Sequence, residues 1–122
     1  MAVVPEFLIR RIYKKGSLKK LENGASVELK NVLGPGFISG FNYVKINDVV
    51  YEAKDVKFIT AGKELTHNDV TEANPLAFRL GQEGTLVMTG QESVITGVNK
   101  IVIEAMNPEA GKVQLSVDDT VA

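Results

Sequence analysis

One histidine, His67, and no cysteine set the chemical limits of this 122-residue chain. A single imidazole and no thiol cannot build a multi-histidine or thiolate metal site, a disulfide or a cysteine nucleophile within one copy. An imidazole titrates near neutrality and suits general base work. His67, however, sits in the polar stretch Thr66-His67-Asn68-Asp69, and no nucleophile-elbow motif accompanies it. The expectation is an exposed turn histidine.

Paired carboxylates are the next chemistry to test. Glu64, Asp69 and Glu72 cluster loosely, and Asp118 and Asp119 are adjacent. Neighbouring strand residues point to opposite faces, so the last two cannot work as a pair. No loop carries the alternating Asp pattern of a calcium site. Solvated surface charge is expected for all of them.

Gly34-Pro35-Gly36-Phe37-Ile38-Ser39-Gly40 has the glycine density of a phosphate loop. Its third glycine comes one residue too late for a dinucleotide fingerprint, and Pro35 removes one amide donor. A wide turn between strands is expected, with a functional version that displays Phe37 to a partner.

Length and composition frame these residues. A chain of 13.2 kDa with 44% hydrophobic and 24% charged residues fits one globular domain spanning residues 1–122. The net charge is −1, yet Arg10, Arg11, Lys14, Lys15, Lys19 and Lys20 face only Glu6 within residues 1–21. Of the aromatic residues, only Tyr13 is interleaved with these cations, which argues against nucleic acid and for a solvated or partner-facing segment. The longest apolar run, Met1-Ala2-Val3-Val4, stops at Pro5-Glu6. That is too short for a secretory signal or membrane helix, so a cytoplasmic protein without a membrane segment is expected.

The elements that must position these residues read as strands. Ala25, Val27 and Leu29 alternate with Ser26, Glu28 and Lys30. Phe41–Ile46 and Val49–Tyr51 flank an Asn47-Asp48 turn, and Val56–Ile59 and Thr85–Thr89 follow. Lys100–Met106 and Val113–Val117 form a hairpin about Asn107–Gly111. About seven or eight short strands imply an all-β, single-domain antiparallel β-sandwich of immunoglobulin-like type. Residues 5–15 fit a short N-terminal helix, with Leu8, Ile9, Ile12 and Tyr13 near helical spacing, or an edge strand. Thr66–Asn74 fits one helical turn capped by Asn68. Phe7, Leu8, Ile12, Tyr13, Pro35 and Phe37 are the candidate partner-interface residues, the alternative for the first four being closure of the core. No residue qualifies as catalytic, cofactor-binding or metal-ligating.

Several segments resemble a known family: Lys15-Gly16-Ser17-Leu18-Lys19-Lys20, Val27-Glu28-Leu29-Lys30-Asn31, Gly34-Pro35-Gly36, Val44-Lys45-Ile46-Asn47-Asp48 and Gly97-Val98-Asn99-Lys100-Ile101-Val102-Ile103. Their order and spacing, over roughly residues 7–118, are similar to the small β-subunit of bacterial C-glycoside deglycosidases and its uncharacterised relatives. That family often has a tyrosine- and arginine-bearing loop where this chain reads Leu33-Gly34-Pro35-Gly36-Phe37. The resemblance implies a non-catalytic accessory subunit in a lyase-type hetero-oligomer. Its partner would be a larger TIM-barrel subunit holding a divalent metal such as manganese and cleaving a sugar–aglycone C–C bond. The alternative is a stand-alone β-sandwich binding module for carbohydrate or protein. An enzyme in its own right would rest on His67 and the scattered acids.

Overall fold

The computed structural model describes residues 5–122, so the Met1–Val4 run lies outside it. Eleven strands follow a short helical segment: β1 (Lys19–Leu21), β2 (Gly24–Lys30), β3 (Gly36–Ile38), β4 (Gly40–Ile46), β5 (Val49–Glu52), β6 (Val56–Thr60), β7 (Lys63–Leu65), β8 (Leu76–Phe78), β9 (Glu83–Thr89), β10 (Gly97–Asn107) and β11 (Gly111–Val121). One sheet has the order β1-β2-β9-β6-β7 and the other β11-β10-β4-β5, with β3 and β8 as a separate ribbon. Every pairing is antiparallel. Apart from β7 and the ribbon, the orders match the A-B-E-D and G-F-C-C′ arrangement of immunoglobulin-like sandwiches. The expected all-β fold is therefore found.

The count of seven or eight strands is corrected to eleven. β1, β3, β7 and β8 are only three residues long. A three-residue run is too short to establish a period of two, so alternation could not show them.

Period-two patterning explains the core. Val27, Leu29, Val56, Phe58, Leu86 and Met88 of the first sheet meet Val44, Ile46, Tyr51, Ile101, Ile103 and Leu115 of the second. Phe58 packs between Phe41 and Phe78, with ring centroids 5.2 and 5.7 Å away. Gly84 makes room for that ring, because a Cβ there would overlap it. Packed interiors leave no slack for such an atom.

Buried polar side chains fix the connections. Tyr51 Oη donates to the Gln91 carbonyl and accepts from Ser93 Oγ at 2.7 Å. Asn99, fully buried, donates to the carbonyls of Ile95 and Gly97 and accepts from the Ile95 amide and Asn47 Nδ2. These bonds hold the crossing from β9 to β10. Backbone polar groups of such a segment must be paired if water is excluded.

Within residues 5–15 the chain is helical from Glu6 to Ile12 and then touches β2 through a single β-bridge at Tyr13. Glu6–Ile9 is a single α-turn (α1), Arg10–Ile12 a 3-10 turn, and Tyr13 bridges to Leu29. Pro5 precedes the helix, its carbonyl accepting from the Leu8 and Ile9 amides. The helix expected over Thr66–Asn74 is absent: that stretch is turns and bends. The Asp69 carboxylate there accepts from the Thr66 amide and hydroxyl at 2.9 and 3.0 Å, and those bonds lower its pKa. Local side-chain bonds of this kind compete with helix formation. No helix among the described residues is long and apolar enough to cross a membrane.

Candidate functional site

Asp119 is the most unusual charged residue of the chain. Strand alternation sends Asp118 outward and Asp119 inward, where it is 3% exposed. The expectation of surface charge holds for Asp118 and is corrected for Asp119. Tyr13 Oη donates to its Oδ2 at 2.6 Å and the Leu18 amide does so at 3.2 Å. The Gly16 amide lies 3.0 Å from both carboxylate oxygens, and the Thr120 amide donates to Oδ1 at 3.0 Å.

This geometry sets two pKa values. Burial pushes Asp119 upward, but the bonds from Tyr13, Leu18, Gly16 and Thr120 outweigh it and hold the carboxyl below its ordinary value. Burial first, and then the bond to Asp119, push the Tyr13 hydroxyl well above its ordinary value. An ionised carboxylate beside a neutral phenol is therefore the stable state near neutral pH. Such a carboxylate is a staple: its lone pairs are engaged by four donors, and it is turned away from solvent.

The staple joins the two sheets. Residues 13–18 also bind β2, through the Lys14 amide to the Glu28 carbonyl and the Glu28 amide to Ser17 Oγ, both 3.0 Å. Gly16, at φ 87°, takes a left-handed conformation that brings its amide to Asp119. Leu18 then enters the core. Tyr13, Gly16 and Leu18 were chemically silent in the sequence, because their partner lies more than a hundred positions away.

Beside the staple lies an open groove of about 600 Å³. Arg10, Lys15 and Lys100 line it, and all three are exposed. Tyr13, Ile101, Val102, Ser116, Val117 and Asp118 complete the lining, with Ile101 itself fully buried in the core. The ion pairs among the described residues are Lys20–Glu92, Lys54–Glu52 and Lys57–Glu64, none of which uses the groove's cations. The basic N-terminal segment foretold Arg10 and Lys15. Lys100 and Ser116 carried no signal, since only the β10–β11 pairing brings them there.

The six candidate interface residues do not form one patch. Tyr13 is buried on Asp119, Ile12 packs against the core and Leu8 is half-buried, whereas Phe7 is 63% exposed. Closure of the core thus accounts for Ile12 and Tyr13. Pro35 and Phe37 are exposed elsewhere. The Phe37 carbonyl accepts from Asn107 Nδ2 at the turn of the β10–β11 hairpin. Asp119, which holds Tyr13, lies about 26 Å along β11 from that turn at about 3.3 Å per residue.

Around Phe37 a second polar staple operates. Asn31 Nδ2 donates to the carbonyls of Gly34 and Phe78, both at 2.7 Å, and its Oδ1 accepts from the Leu33 and Gly34 amides. Its backbone pairs with Gly81 and Gln82. Two turns are thereby fixed with Val32, Leu33, Phe37 and Leu80 exposed, the last two by 52% and 61%. The wide turn expected over Gly34–Gly40 is confined to the residues before Gly36: Gly36–Ile38 is strand β3 and Gly40 opens β4, and with no helix following, no phosphate cradle forms. His67 is exposed, as expected of a turn histidine. Among the described residues, no group of three or more His, Asp or Glu side chains is placed to hold a metal ion.

Fold and site together define an immunoglobulin-like β-sandwich domain whose buried carboxylate serves architecture. The sequence model of the family described as Hydroxymethylglutaryl-CoA reductase, N-terminal domain, matches residues 8–122, and the chain belongs to that family. No match was found among curated proteins. The family match overturns the likeness to the C-glycoside deglycosidase β-subunit, and with it the accessory role in a C–C-cleaving lyase complex. The TIM-barrel partner and its divalent metal were inferred from that likeness and lose their basis with it. Within the Lys15–Lys20 segment, one of the five that carried the likeness, Gly16 and Leu18 serve the Asp119 staple and Ser17 binds β2.

Proposed function

We propose that this chain is a non-catalytic domain of a hydroxymethylglutaryl-CoA reductase, docking onto the part of the enzyme that carries the reacting groups. The match over residues 8–122 is the observation that carries this reading. Reducing an acyl-CoA needs a hydride donor, and the Gly34–Gly40 loop does not fit the strand–loop–helix cradle for a dinucleotide. The carboxylate of Asp119 is spent on four internal donors.

The docking surface in this reading is the turn pair braced by Asn31, with Val32, Leu33, Pro35, Phe37 and Leu80. An apolar patch held rigid before association loses little entropy on docking. The test is binding between this chain and the catalytic portion of the reductase from the same organism, followed by analytical ultracentrifugation and a reductase assay. Phe37→Asp with Leu80→Asp should weaken the complex by about tenfold or more, as expected for apolar anchors. Hydroxymethylglutaryl-CoA reduction by the isolated chain, or an unchanged complex in the double variant, would refute the proposal.

A further inference from the structure

Three of the four edges of the two main sheets are short: β1 and β7 have three residues each and β5 has four. The fourth edge strand, β11, has eleven. Natural sandwiches keep edges short because an open ladder side pairs with other chains. Which groups β11 leaves open follows from its neighbour. Lys100 and Met106 of β10 turn their carbonyls toward the β4 side, where they accept from the Asn47 and Ser39 amides, both at 2.8 Å. Backbone direction alternates along a strand, so Ile101, Ile103 and Ala105 face β11, where Val117, Leu115 and Val113 are their partners. Lys112, Gln114, Ser116 and Asp118 therefore turn their amides and carbonyls outward. Among the described residues, no hydrogen bond reaches those outward groups. The helix α1 packs beside β11 without bonding to its backbone, and the Asp119 staple guards only the strand beyond Asp118.

We infer that the chain forms a two-fold symmetric dimer by antiparallel pairing of β11 with β11 of a second copy, centred on Leu115. The segment Lys112-Val113-Gln114-Leu115-Ser116-Val117-Asp118 is complementary to itself when reversed, as an isologous interface requires. In that register Lys112 of each copy meets Asp118 of the other, Gln114 meets Ser116, and Val113 meets Val117. The outward groups of the four polar residues then pair with one another, giving about eight main-chain hydrogen bonds. Asp118 comes to lie between Lys112 of the second copy and Lys100 of its own, its partner across β10. Opposite charges and apolar pairs directly across a ladder fix register, and sliding by two residues in either direction loses the Lys112–Asp118 pair. Val113 and Val117, half-buried in one copy, gain cover, and Phe7 is an exposed apolar side chain on the helix beside the same strand. The open groove along Ser116–Asp118 leaves room for the incoming strand. Arg10 and Lys15 line that groove too, and their repulsion of the incoming Lys112 sets the expected affinity in the micromolar range. The inference does not rest on the proposed function, because it uses the β11 edge alone.

The test is sedimentation equilibrium of the full 122-residue chain from micromolar to millimolar concentration, with amide exchange followed by NMR over the same range. A monomer–dimer equilibrium should appear, and the Lys112, Gln114, Ser116 and Asp118 amides should gain protection as concentration rises. Ser116→Pro removes one outward amide and no bond to β10, a position where an edge strand tolerates proline. That variant should keep its fold in dilute solution and weaken the dimer by about tenfold or more. Lys112→Asp should weaken it about fivefold by setting carboxylates opposite each other, and adding Asp118→Lys should restore it. A chain that stays monomeric throughout, or a dimer that protects other amides but not these four, would overturn the inference. So would a Ser116→Pro variant that dimerises like the parent, or a Lys112→Asp loss that Asp118→Lys leaves unrepaired.

Discussion

Asp119 and Asn31 perform the same task with different chemistry. Each is a buried polar side chain that gathers backbone groups of a loop, Asp119 holding residues 13–18 and Asn31 holding residues 31–34. Asp119 is charged and receives only donors. Asn31 is neutral and both donates and accepts, so its loop is held without any ionised group. The charged staple closes the seam between the two sheets, while the neutral one holds apolar side chains out in solvent. A carboxylate suits a loop whose amides converge, and an amide suits a turn with free carbonyls as well.

The largest effect should come from Asp119→Ala. It leaves the Tyr13 hydroxyl and three amides without their acceptor, at a cost of about 3 kcal/mol or more in urea unfolding. Asn31→Ala should cost about 2 kcal/mol, because fewer of the freed groups stay out of reach of water.

The sharper contrast is with pH. Asp119 has a lowered pKa in the fold, so its contribution is fully present above the unfolded value of about 4 and is lost as the pH falls through the folded value. Tyr13 has a raised pKa, so its contribution is fully present below about 10 and is lost as the pH rises further. Thermal melts of the parent protein should weaken at both edges. In Asp119→Asn the acid edge should shrink, whereas Asn31→Ala should retain it.

A change outside both staples gives the smallest effect. Ala61 sits at φ 52° in the β6–β7 turn. A left-handed alanine costs about 1 kcal/mol, and Asn tolerates that region better. Ala61→Asn should raise stability by about 0.5 kcal/mol, seen as a slightly higher melting temperature.

The sequence made the longer strands legible because alternation is a local signal. Ile101, Ile103, Leu115 and Val117 announced the β10–β11 hairpin, and the opposite facing of Asp118 and Asp119 followed from the same rule. What alternation could not reveal was what awaited Asp119 on the inner side. Its donors, Tyr13, Gly16 and Leu18, lie at the far end of the chain, and only the assembled sandwich brings them together. Residues 5–15 were ambiguous because a single turn is too short for a helical period to repeat. The Lys15–Lys20 segment, one of the five behind the family likeness, misled in a related way through Gly16, Ser17 and Leu18. Its residue types answer a local geometric need, a left-handed glycine, a hydroxyl on β2 and an apolar anchor, so they identify a loop more securely than a family. The turn residues were easier, since Asn47 and Gly34–Gly36 carry their conformational preferences with them. For the groove, the charge bias of the first 21 residues supplied half the signal, and strand pairing supplied Lys100.

The most direct check on the staple is to follow the Asp119 side-chain carboxyl by carbon-detected NMR while measuring exchange of the Gly16 and Leu18 amides. A buried, ionised acceptor predicts a titration below that of an ordinary aspartate and slow exchange at neutral pH that speeds up when the carboxyl is protonated. An Asp119 that titrates like a solvated aspartate, beside Gly16 and Leu18 amides that exchange freely at pH 7, would contradict it.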